Sequence, residues 1–131
     1  MGAWGYNNFD NDDAADFLAE FREDPSEVLL LEALVTAVEE EGYLEVDAAG
    51  AALAAAEVVA AWLGQPSPDF PDDLLPRADN LDVSDEDELV ELAQQATRAV
   101  LQKSEMRDLW EESAEFTQWQ AAQANLLERL A

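Results

Sequence analysis

The chain reads as an all-α protein, an irregular bundle of about five main helices plus a short one. Three observations predict this. Apolar residues recur three and four positions apart almost throughout, with little of the alternation a strand requires. Alanine, the strongest helix former, dominates. Prolines and glycines fall at the joints between the periodic stretches. A chain of 131 residues with 49% hydrophobic content can bury a real core, so residues 1–131 are expected to form one domain.

Taken in order, the first helix is expected from about Asn11. Asp10 or Asn11 caps it, Asp12 and Asp13 lie at its positive end, and Ala14, Phe17, Leu18 and Phe21 form its apolar stripe. Asp24-Pro25 is a cap followed by proline in the first helical position, and opens a second helix that stops at Gly42. Its stripe is Val28, Leu31, Leu34, Val35 and Val38, and Glu39, Glu40 and Glu41 at its end oppose the helix dipole. Asp47 caps a third helix, DAAGAALAAAEVVAAWLG, which ends at Gly64. With alanine on several faces and Gly50 among them, this is the central helix, approached closely by its neighbours.

Four prolines then make residues 65–80 a Pro-rich loop, with one turn of helix near Asp72–Leu75, pinned by Phe70, Leu74 and Leu75. Ser84, with Asp87 in capping-box spacing, starts a helix through Leu89, Leu92, Ala93, Ala96, Ala99 and Val100 to about Gln102. The pattern breaks near Ser104, and Met106, Leu109 and Trp110 make a further turn or two. Phe116, Trp119, Leu126, Leu127 and Leu130 line a last helix from about residue 114.

Composition excludes several functions. The chain has no cysteine and no histidine, which removes disulfides, thiolate metal sites and serine–histidine or cysteine–histidine catalysis. Any chemistry must run on carboxylates with a hard, oxygen-bound cation. A net charge of −25 repels nucleic-acid phosphate and anionic membrane. The charge is uneven: residues 1–95 hold 25 acids against two bases, and residues 96–131 hold six against four. No apolar run reaches the roughly 18 residues a membrane helix needs, and no leader is evident, so a cytoplasmic protein is expected. A myristoylation start fails at Tyr6, where Ser or Thr is needed.

MGAWG at Met1–Gly5, FDND at Phe9–Asp12 and A-x-D at Ala14–Asp16 carry a resemblance. The opening resembles that of a bacterial domain-of-unknown-function family whose members begin MGAWG, continue with a few variable residues to FDND, and then show A-x-D-W. Phe17 stands where the family shows tryptophan, and Tyr6-Asn7-Asn8 replaces its usual Gly-rich variants. An AAEVVAA-like helix at Ala55–Ala61 and a WEES segment at Trp110–Ser113 extend the likeness over most of the chain. The resemblance implies a single helical domain and brings no activity with it.

Three carboxylate groups are candidates for chemistry. Asp10, Asp12, Asp13 and Asp16 gather at the first helix, with Asp12 and Asp16 on one face, but Ala14 and Ala15 interrupt any calcium-loop pattern. Capping by Asp10 or Asn11 and solvation of the rest account for them. Glu32 in LLLEALV and Glu57 in AAAEVVAA lie on apolar helices, where a buried carboxylate must be paired, protonated or coordinated. The alternative is a narrow solvent face or an arginine partner. Asp87-Glu88-x-x-Glu91 followed by Glu105-x-x-Asp108 resembles the magnesium-binding signature of all-α nucleotide pyrophosphatases. That likeness implies Glu88, Glu91, Glu105 and Asp108 as magnesium or manganese ligands, with Asp87 replacing the first glutamate. The spacing opposes it, since one continuous helix separates Glu91 from Glu105 by about 20 Å. Trp4, Phe9, Phe17, Trp62 and Trp110 are expected as structural anchors rather than pocket walls.

The leading functional reading is a non-enzymatic interaction or inhibitor-like module whose acidic face, Asp10, Asp12, Asp13, Asp16, Glu39, Glu40 and Glu41, engages a basic protein. It requires no cofactor, nucleic acid or membrane, and specifies no oligomeric state. The alternatives are a magnesium- or manganese-dependent phosphohydrolase built on helix carboxylates, and a charge that serves solubility or salt adaptation alone.

Overall fold

A computed structural model of the chain describes residues 5–40 and 42–131; the expectations placed on Trp4 and Glu41 lie outside these. The described residues form seven α-helices and no strand: α1 (Asp12–Glu23), α2 (Glu27–Glu39), α3 (Val46–Trp62), α4 (Leu75–Asp79), α5 (Glu86–Gln102), α6 (Glu105–Glu111) and α7 (Phe116–Leu130). A 3-10 turn at Asp72–Leu74 leads into α4. The helices pack as a bundle around α3, which touches all six others.

Helix α3 is central because its side chains are small. From Ala52 through Ala61 no residue is exposed, so every face is covered. Its close contact with α1 depends on Gly50, where a Cβ would stand 2.9 Å from Asp13 Cβ and 3.1 Å from Asn11 Oδ1. It ends in a Schellman turn, with Gly64 at φ +85°, the Gly64 amide on the Ala61 carbonyl and the Gln65 amide on the Ala60 carbonyl.

The observed caps adjust the expected ones. Asn11 caps α1, its Oδ1 accepting from the Ala14 amide at 2.8 Å. Ser26, not Asp24, caps α2, its Oγ accepting from the Val28 amide at 3.1 Å, while Asp24 is the C-terminal cap of α1. Asp85, not Ser84, caps α5, since the Ser84 amide and hydroxyl both donate to the Glu27 carboxylate and tie α5 to the start of α2. Asp47 does not cap α3; the Glu105 carboxylate of α6 reaches across to accept from the Val46 amide at 2.8 Å.

Two further differences concern faces and loops. Helix α2 buries Leu30, Leu34 and Ala37 and leaves Val28 58% exposed, a stripe rotated from the expected one. Half of residues 65–80 is helical, because Pro76 falls in the first turn of α4, where its missing amide hydrogen is harmless. The break at Ser104 is a true helix start. Its buried hydroxyl donates to the Val100 carbonyl at 2.7 Å and accepts from the Arg107 amide at 3.0 Å, so α5 and α6 are separate helices.

Candidate functional site

The most unusual side-chain arrangement is a polar centre buried between α3, α7 and the segment before α1. Alanine-rich packing draws Glu57 into the interior, where it is 2% exposed. Such a carboxylate needs a counter-charge, and Arg129 of α7 supplies it through Nη1 to Oε1 at 2.8 Å and Nη2 to Oε2 at 3.2 Å. Asn8 adds a third bond, Nδ2 to Glu57 Oε2 at 2.8 Å. Its amide also pairs both ways with that of buried Gln123, at 3.0 and 2.8 Å. Arg129 Nε donates to Asn125 Oδ1 at 2.8 Å. Among the described residues no buried side-chain nitrogen or oxygen is left unpaired.

The segment that delivers Asn8 is held by short-range and aromatic contacts. The Asp10 amide closes a turn on the Asn7 carbonyl at 3.0 Å, and Asn7 Nδ2 donates to Asp69. Phe9 is half-buried and meets Phe70 edge-on at 5.8 Å. Gly5 packs directly on the Asp10 carboxylate, which a side chain there would displace. A cleft of about 370 Å³ opens over the centre, lined in part by Tyr6, Asn8, Glu57, Asp69, Asn125 and Arg129. Both oxygens of Glu57 accept hydrogen bonds, so the group joins α3 to α7 and to the segment before α1.

Sequence reasoning singled out Glu57 but missed Asn8, Gln123 and Arg129. Gln123 carried a legible signal: it interrupts the otherwise apolar row Trp119, Leu126, Leu130 on α7. Asn8 and Arg129 carried none, being 49 and 72 residues from Glu57. Glu32 is not interior. It is exposed on α2 and edges a shallow groove between α1, α2 and α3.

The remaining candidates lie on the surface. Asp12 and Asp16 are exposed, Asp10 and Asp13 half-buried. Asp13 is held above its ordinary pKa of 3.8, first by burial and then by the charges of Asp47, Asp16 and Asp12. Asp47 was not among the expected acids, and the α1–α3 contact at Gly50 brings it into this group. Glu39 and Glu40 are exposed at the end of α2, where Glu40 accepts from the Gly42 amide. Among the described residues only three ion pairs form: Arg22–Asp73, Arg107–Glu111 and Glu57–Arg129.

Of the aromatic anchors, Phe17 and Trp110 are buried at 6% exposure and Trp62 is half-buried. Glu88, Glu91, Glu105 and Asp108 do not form a ligand set. Glu88 and Glu91 are exposed on α5, Glu105 caps α3, and Asp108 accepts from the Tyr43 hydroxyl at 2.6 Å. No group of three or more carboxylates gathers to hold a metal ion among the described residues. None of the described helices is long and apolar enough to cross a membrane.

Comparison with known proteins gives a family match. The family model described as a domain of unknown function, DUF4259, matches residues 2–122. No curated protein and no solved structure matches the chain.

Proposed function

The chain belongs to the DUF4259 family, which assigns it no chemistry, and we propose from its surface that it is a non-enzymatic cytoplasmic module that engages a basic protein partner. One observation carries this reading: acidity far in excess of what the fold uses. Of six bases in the chain, Arg22, Arg107 and Arg129 are each committed to one carboxylate. Helix N-capping engages Asp85 and Glu105 out of 31 acids. An excess of this size favours long-range attraction and fast, salt-sensitive association with positive surfaces.

The test is capture from native lysate on the immobilised chain, beside an unrelated acidic protein of equal net charge. A stoichiometric basic partner retained by this chain alone, and released as salt rises from about 0.1 to about 0.5 M, is the expected outcome. Retention no different from that of the acidic control overturns the reading and leaves the charge to solubility or salt adaptation.

A further inference from the structure

Helices α1 and α2 both lie along α3 but touch each other little. A groove of about 250 Å³ remains between them. Its floor is apolar, formed by Phe17 of α1, Leu29 and Ala33 of α2, and Ala51 of α3. It stays open because alanines stand where larger side chains would fill it. Leu29, Ala33 and Ala51 retain partial exposure, and Val28 adds an exposed apolar side chain one turn before Glu32.

The walls are acidic. Glu20 lines one side and Glu32 the other, both exposed, and no base lines the groove among the described residues. Asp12 and Asp16 continue the Glu20 row along α1 at intervals of four residues, all exposed. An apolar trough between a carboxylate row on α1 and the facing Glu32 of α2 matches a helix with one apolar stripe flanked by cations, because residues three and four apart on a helix present that pattern. A second copy of this chain fits poorly, since the same rows would face like charge.

We infer that this groove docks an amphipathic helix of the basic partner, its apolar stripe on Phe17, Leu29 and Ala51 and its lysines or arginines on the Asp16–Glu20 row and Glu32. The inference rests on the interaction reading above and locates it. Glu32, which the apolar context of α2 marked as unusual, acquires a role as a wall charge rather than an interior one.

The test titrates the intact chain into a labelled leucine–lysine peptide of about 18 residues in amphipathic helical order, long enough to hold a helix. A scramble of the same composition is titrated alongside, both at about 0.15 M salt. The amphipathic peptide is expected to bind at least about tenfold more tightly than the scramble. Ala51→Leu, which fills the floor, and the pair Glu20→Lys with Glu32→Lys should each abolish that preference. The glutamate pair is exposed and leaves the core intact, so the inference stays testable if Ala51→Leu unfolds the chain. Reversing Glu115 and Glu128, at the two ends of α7, should weaken both peptides alike and keep the preference.

Equal affinity for the two peptides, or a preference that survives both substitutions, overturns the groove. If the peptides still bind in a salt-sensitive way, the interaction reading stands without it; if neither does, both fall. A dimer seen by sedimentation and lost in Ala51→Leu would put a second copy in the groove and likewise overturn the inference.

Discussion

Arg129 neutralises Glu57 where little water reaches either side chain, their exposures being 12% and 3%. A buried pair of this kind adds little over an apolar pair of similar shape, but removing one partner strands the other and costs about 3–5 kcal/mol. Arg129→Met should therefore lower the unfolding free energy in urea by about that amount. Combining it with Glu57→Leu should destabilise less than the two single changes added together. Strict additivity would mean that the charges do not support each other. The same pair shows how far one residue could be read from sequence. Glu32 and Glu57 have near-identical surroundings, three apolar residues before and three after, yet one is exposed and the other buried. Alanines rather than leucines precede Glu57, but the groups that pair it, Asn8 and Arg129, come from distant parts of the chain.

Where α1 crosses α3, Gly50 lets the helices meet and brings Asp13, Asp16 and Asp47 together. Since the folded chain holds Asp13 above 3.8, it keeps that proton to higher pH than the unfolded chain does. Stability thus falls as pH rises from 3.8 through the raised value, and stays lower above it. Asp13→Asn keeps the shape and removes the charge, leaving Asp12 for the helix dipole. It should raise the melting temperature at about pH 7 and lose its advantage at about pH 3. Asp73 works the other way. Its hydrogen bond from Arg22 holds it below 3.8, so its contribution is present above that value and is lost as pH falls through the lowered one. Legibility also varied by element. The stripe of α1 was readable because charged residues bound it on both sides, and Ala14, Phe17, Leu18 and Phe21 are the residues it buries. On α2 the run VLLLEALV offers no polar contrast to orient it, and Val28 faces outward instead. The cap of α5 shifted by one residue because Ser84 is engaged by Glu27, 57 residues away, a partner that spacing does not reveal.

For the whole molecule, a net charge of −25 sets up self-repulsion that salt should relieve. The melting temperature is expected to rise as sodium chloride increases from about 0.01 to about 0.5 M, the range over which the screening length shrinks from about 30 to a few ångströms. Salt should meanwhile weaken any complex with a basic partner, so fold and binding respond to it in opposite directions. A flat melting profile would show that the acids are too dispersed to repel. The polar centre has a consequence for synthesis. Glu57 leaves the ribosome 72 residues before Arg129, an interval of about 4–14 s at ordinary elongation rates. Throughout that time the side of α3 that carries Glu57 cannot be closed without trapping a carboxylate that lacks its arginine. The helix at the middle of the bundle is made early and can be covered by α1, α2 and α5, but its Glu57 side closes only when α7 arrives.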